Sequence, residues 1–63
     1  MMTKSKQMLL EVLGQKWLDR IRQLSNQGLT PHQVGHQIHA ELKRHNFNAH
    51  PYIIRAVAEV AGE

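Results

Sequence analysis

LTPHQVGHQIHAELKRH, residues 29–45, carries the start, the buried face and the end of a helix in one run. Thr30 suits the N-cap, where its side-chain oxygen can accept from a first-turn N–H. Pro31 at the first helical position gives up a donor that has no intrahelical acceptor there. Leu29, ahead of the cap, is placed to staple onto Val34. Val34, Ile38 and Leu42 then recur every four residues and share one stripe, and the basic end Lys43, Arg44 and His45 suits the negative end of the helix dipole. The stretch predicts a helix over 31–45 with one apolar face, and that face needs partners.

Both flanks supply them. Upstream, with Leu10 as origin and about 100° per residue, Leu13, Trp17, Leu18, Ile21 and Leu24 fall within about 80° of it, the pattern of an amphipathic helix. It is expected over 5–25 and ends at SNQG, where Gly28 can take the left-handed conformation. Downstream, NFNAHP turns the chain, Asn48 can cap, and Pro51 is tolerated in a first turn. Ile53, Val57 and Val60 line one face of a helix over 49–61, with Ile54, Ala56 and Ala61 at its margins and Gly62 as its stop. Phe47 is expected as a core plug between the last two helices. No strand pattern, repeat or low-complexity tract competes. Short connections make consecutive helices neighbours, so the fold class is all-α: a compact three-helix domain over residues 1–63, with 1–4 a flexible N-terminal tail.

Composition narrows the function. A 63-residue chain makes one domain with a thin core and leaves no room for a separate catalytic unit. Leu, Ile, Val and Phe make up 16 of the 63 residues and the net charge is only +3, a balance that favours folding over disorder. With no cysteine, disulfides and thiolate zinc sites are excluded, and a reducing, cytoplasmic setting fits. MMTKSKQMLLEVLG reads as no export signal, because Glu11 interrupts its apolar run and no small-residue cleavage site follows. No stretch approaches a membrane-spanning length, so no membrane partner is expected. The pI near 9.8 favours anionic partners.

All five histidines fall between 32 and 50. With Val34 at zero, His32, His36, His39 and Lys43 lie about 140–200° away, opposite the apolar stripe, whereas His45 lies near the apolar side. The spacings of His32, His36 and His39 let imidazoles approach one cation, so these three are the candidates if a metal is bound. No acidic residue shares the face and Lys43 adds a repelling charge, so the sequence assigns no metal and no cofactor. Three histidines on one face would also turn it cationic under mild acidity. For nucleophilic catalysis, Thr3, Ser5, Ser25 and Thr30 are better explained as helix-end residues. No glycine-rich phosphate loop or metalloenzyme spacing occurs, and the chain reads as non-enzymatic.

Two partner classes remain. A helix-turn-helix would need a shorter 31–45 helix and a glycine in the turn, and Tyr52, Arg55, Ala58 and Glu59 suit base reading poorly, since Glu59 can pair with Arg55. Binding through phosphate charge is easier to build, from Lys16, Arg20, Lys43 and Arg44. Alternatively, Met8, Leu9 and Val12 lie outside the main apolar arc of the first helix. Excess apolar surface there points to a protein partner or a homodimer.

WLDRIRQLSNQGLTPHQVGHQIHAELKRHNFNAHPYIIRAVAEV, residues 17–60, resembles a three-helix repeat of the RecX type. The likeness lies in a leading helix with paired basic residues, a G-L-T turn, a helix with an E-L pair, and an isoleucine-rich last helix. It covers about two thirds of the chain, with one repeat where RecX proteins carry several. The resemblance implies a regulator that touches a nucleoprotein filament. The expectation is a small regulatory binding protein acting on nucleic acid or a nucleic-acid-handling protein, the alternative being a protein–protein inhibitor or adaptor, homodimeric through its first helix.

Overall fold

The end signals of the 29–45 stretch act as expected. In the structure, a computed structural model that describes residues 4–45 and 48–63, this helix runs over Pro31–Arg44 with Thr30 as N-cap. Thr30 Oγ1 accepts from the Gln33 N–H at 3.2 Å, and Gln33 Oε1 accepts in turn from the Thr30 N–H at 2.9 Å. Two first-turn donors are therefore satisfied reciprocally in a capping box. Leu29 is half-buried against the core, and the His45 N–H closes the last turn onto the Glu41 and Leu42 carbonyls.

The upstream region is not one helix. The chain forms α1 (Lys4–Val12) and α2 (Gln15–Asn26), followed by α3 (Pro31–Arg44) and α4 (Tyr52–Ala61), so there are four helices where three were expected. Among the described residues there is no strand. The break falls at Gly14, whose φ of 96° and ψ of 170° lie in a region open essentially to glycine alone. The Leu13 and Gly14 N–H groups both close back onto the Leu9 carbonyl, at 2.8 and 3.2 Å, and end α1 there. Turning α1 away from the axis of α2 brings Leu9, which a continuous helix would leave off the apolar arc, to zero exposure. Lys4, expected in a tail, belongs to α1; residues 1–3 lie outside the described residues.

Gly28 closes α2 with φ 94°, as expected of a left-handed C-terminal glycine. α4 starts at Tyr52 rather than 49, and Asn48 does not cap it. The turn before it is closed by the His50 and Pro51 carbonyls, which accept from Ile53 and Ile54. His50 Nδ1 accepts from the Tyr52 N–H at 3.1 Å, doing what was expected of Asn48. Phe47, expected as a core plug, lies outside the described residues.

One core joins the four helices. Leu9 of α1, Leu18, Ile21 and Leu24 of α2, Val34, Ile38 and Leu42 of α3, and Ile53, Ala56 and Val57 of α4 form a continuous buried cluster. The radius of gyration of 10.4 Å matches the roughly 10.6 Å of a compact chain this long. α3 and α4 approach closely at Gly35, where a Cβ would stand 2.5 Å from the Ile54 carbonyl oxygen. Only a residue without a side chain fits this seam.

Candidate functional site

α2 places Lys16, Arg20 and Gln23 along one flank, at spacings of four and three residues that keep side chains on a common helical face. The adjoining buried residues Leu18, Ile21 and Leu24 anchor α2 in the core that it shares with α3. This packing sets the flank beside the last turns of α3. The Arg20 guanidinium meets the Glu41 carboxylate with two bonds, Nε to Oε1 at 3.0 Å and Nη2 to Oε2 at 2.8 Å. Its Nη1 donates to Gln23 Oε1 at 3.0 Å. Glu41 also accepts from Gln37 Nε2 at 2.9 Å. One turn on, the Trp17 and His45 rings stand edge to face with centroids 5.9 Å apart.

Between these contacts lies a groove of about 380 Å³, lined by Lys16, Trp17, Asp19, Arg20, Gln23, Glu41 and His45. The ion pair beside it is partly withdrawn from solvent, with side-chain exposures of 34% for Arg20 and 15% for Glu41. The Arg20 hydrogen bonds hold the Glu41 carboxyl below its ordinary value of 4.5; Gln37 and the nearby Arg44 charge act in the same direction, and desolvation opposes them. The same pairing raises Arg20, which stays charged.

The structure brings two of the four expected phosphate-binding residues into one groove. Lys16 and Arg20 line the groove and Arg44 lies close enough to Glu41 to act on its charge. Lys43 does not join them, because two residues along a helix turn it about 160° away from Glu41. Arg20 differs from the expectation in having an internal anionic partner, whereas Lys16 and Arg44 make no salt bridge among the described residues. The sequence reading missed Glu41 and the aromatic edge of Trp17 and His45. Their one signal was position, since Glu41 and His45 sit one turn apart beside Leu42.

The expected interface residues separate. Leu9 is fully buried in the protein's own core, which corrects its assignment to a partner surface. Met8 packs against that core, half-buried, and Val12 alone of the three is well exposed, at 53%. The histidine face divides as well. His32 and His36 are exposed with Nε2 atoms 3.0 Å apart, while His39 is half-buried and its Nε2 donates to the Ala49 carbonyl at 3.2 Å. His45 is exposed and its ring stands against Trp17, which packs on the core. Among the described residues no group of three or more His, Asp or Glu side chains is placed to hold one metal ion. The expected Arg55–Glu59 pair gives way to a bond between α1 and α4, in which Ser5 Oγ donates to Glu59 Oε2 at 2.6 Å.

A larger hollow of about 450 Å³ opens beside α1, α2 and the end of α4. Lys6 and Arg22 there are accompanied by Asp19 and Glu63, as Lys16 and Arg20 in the groove are by Asp19 and Glu41, so neither lining has an excess of either charge. Among the described residues no helix is long and apolar enough to cross a membrane. No protein family, curated protein or solved structure matches the chain.

Proposed function

We propose that this is a non-enzymatic regulatory domain that binds nucleic acid, or a nucleic-acid-handling protein, through the α2–α3 surface. The observation that carries the reading is the pair of cations Lys16 and Arg20 in one groove with Trp17 and His45, Arg44 standing outside its lining but close enough to Glu41 to act on that carboxylate's charge. Cations at such a groove meet phosphates, and the exposed His45 ring beside the half-buried Trp17 adds contact with bases or sugars. The hydroxyls support a non-catalytic reading, since Thr30 caps α3 and Ser5 donates to Glu59. The RecX-type resemblance leans toward the same class of partner, in a cytoplasmic setting.

The test is the affinity of the full chain for DNA and RNA oligonucleotides as a function of salt. Binding at low salt should weaken steeply as salt rises, and Lys16→Gln with Arg44→Gln should flatten the log–log slope by about 1.8 on duplex DNA, at roughly 0.9 per phosphate contact. Absence of low-salt binding, or a slope that the double variant leaves alone, overturns the proposal. The alternative of a homodimer or adaptor now rests on Val12. Sedimentation of wild type against Val12→Glu decides it, since this reading requires a change in mass or in partner binding.

A further inference from the structure

We propose that His32 and His36 form a two-imidazole site for a borderline divalent transition cation, taking Cu²⁺ or Ni²⁺ ahead of Zn²⁺. The site lies about 140–180° round α3 from Glu41, so it is independent of the α2–α3 groove. Both rings are exposed, one turn apart, with centroids 4.5 Å apart and planes at 74°. Their Nε2 atoms are already 3.0 Å from each other.

That separation carries the choice of ion. Two nitrogens 3.0 Å apart, each about 2.0–2.1 Å from a shared ion, subtend about 94° at it. The angle fits adjacent positions of a square-planar or octahedral ion and is narrower than the roughly 109° of a tetrahedral zinc site. Intrinsic affinity also places Cu²⁺ above both Ni²⁺ and Zn²⁺, and the bond angle at the ion is what sets Ni²⁺ ahead of Zn²⁺.

In the metal-free pair one Nε2–H donates to the other Nε2, which must be unprotonated to accept it. A cation takes the place of that shared hydrogen, which moves to Nδ1 of its own ring. Both Nε2 lone pairs then face the ion with no change in the number of bound protons. The capping box of Thr30 and Gln33 fixes the turn of α3 that carries His32. His39 supplies no third ligand, since its Nε2 is bonded to the Ala49 carbonyl. Lys43, the one fixed cation expected on this face, sits about 10 Å along the axis from His36. The remaining coordination positions are left for water or an external ligand.

The test titrates Ni²⁺, Cu²⁺ and Zn²⁺ salts, each alone, into the full chain, by calorimetry and by thermal melting followed by circular dichroism. Saturable one-to-one binding should raise Tm, because the paired rings exist on the folded helix and not in the unfolded chain. The metal-dependent rise should vanish in His32→Ala and in His36→Ala and persist in His39→Ala and His50→Ala. Comparing each variant with and without metal removes any effect of the substitution on stability. The proposal is overturned if wild type shows no rise, if the rise survives loss of either His32 or His36, if it is lost in His39→Ala, or if Zn²⁺ binds more tightly than Ni²⁺.

Discussion

Gly35→Ala should destabilise the protein although alanine is the better helix former. In an exposed helix the exchange gains about 0.8–1.0 kcal/mol. At Gly35 the new Cβ would stand 2.5 Å from the Ile54 carbonyl oxygen, 3.2 Å from Ile54 Cγ2 and 3.3 Å from the Ile54 carbonyl carbon. Restoring ordinary contact, 3.4 Å or more, needs about 0.9 Å of movement, and the nearest atom is backbone that cannot rotate away as a side chain could. The α3–α4 seam must open instead, and a gap of about 0.5–1 Å forfeits a quarter to a half of each dispersion contact it separates. Overpacking of this kind costs about 1–3 kcal/mol, sometimes more. Since the seam is the principal helix pairing of a small core, the net effect should sit at the upper end, about 2 kcal/mol after the propensity gain. For a domain of this size that lowers Tm by about 8–16 °C. Ala40→Gly provides the yardstick: at an exposed α3 position it should lose only about 1 kcal/mol, through propensity alone. Urea denaturation of both variants is the assay, with Gly35→Ala/Ile54→Ala as a third chain that should not recover wild-type stability, because the principal clash is with backbone. A Gly35→Ala protein as stable as wild type, or more so, refutes the close approach.

Gly14→Ala meets no atom within 4 Å, so its effect isolates backbone strain and should lower stability by about 1–3 kcal/mol in the same denaturation assay. Leu9→Ala removes a fully buried side chain and should cost about 2–5 kcal/mol. Val12→Ala, three residues on and exposed, should stay within about 0.5 kcal/mol, and equal losses at the two positions would contradict the break between α1 and α2. Because the folded carboxyl of Glu41 is held below its ordinary value, the unfolded chain binds that proton more readily. The stability advantage of wild type over Glu41→Gln should therefore be full above the unfolded value and disappear as pH falls through the folded one. Denaturation midpoints from about pH 7 down to about pH 3 would show the gap closing.

α3 was legible from the sequence because its signals agree: cap, proline, apolar stripe and basic end all specify the same helix. α2 kept its apolar arc and its glycine stop for the same reason. The Leu10-to-Leu24 arc ran through Gly14 without interruption, and this agreement concealed the break. What betrayed it was the phase of Met8, Leu9 and Val12, read as surplus surface. A set of apolar residues out of phase with the rest of a helix can mark a partner or a change of axis. A glycine just after the out-of-phase residues favours the change of axis, since the conformation that Gly14 adopts is denied to other residues. The start of α4 was not legible for a different reason, because a histidine ring nitrogen, His50 Nδ1, accepts from the Tyr52 N–H where Asn48 is the more usual capping residue.

The basic surface was legible as composition and only partly as geometry, because sequence spacing says nothing about a carboxylate 21 residues away. The pairing with Glu41 changes what Arg20 can contribute. A phosphate approaching Arg20 competes with a bidentate carboxylate, whereas one approaching Lys16 or Arg44 displaces no salt bridge. Removing the competitor should therefore separate stability from binding. Glu41→Gln loses the ion pair and lowers stability near neutral pH, yet it removes one negative charge from the groove and frees a guanidinium held beside Lys16. Affinity for an oligonucleotide should rise at low salt, and the log–log salt slope should steepen by about 0.9 on duplex DNA or about 0.7 on a single strand as one more phosphate contact forms. A purely structural role for the pair predicts the reverse, a less stable chain that binds no better. Equal or weaker oligonucleotide binding by folded Glu41→Gln would remove Arg20 from the binding surface and leave Lys16 and Arg44 to carry it.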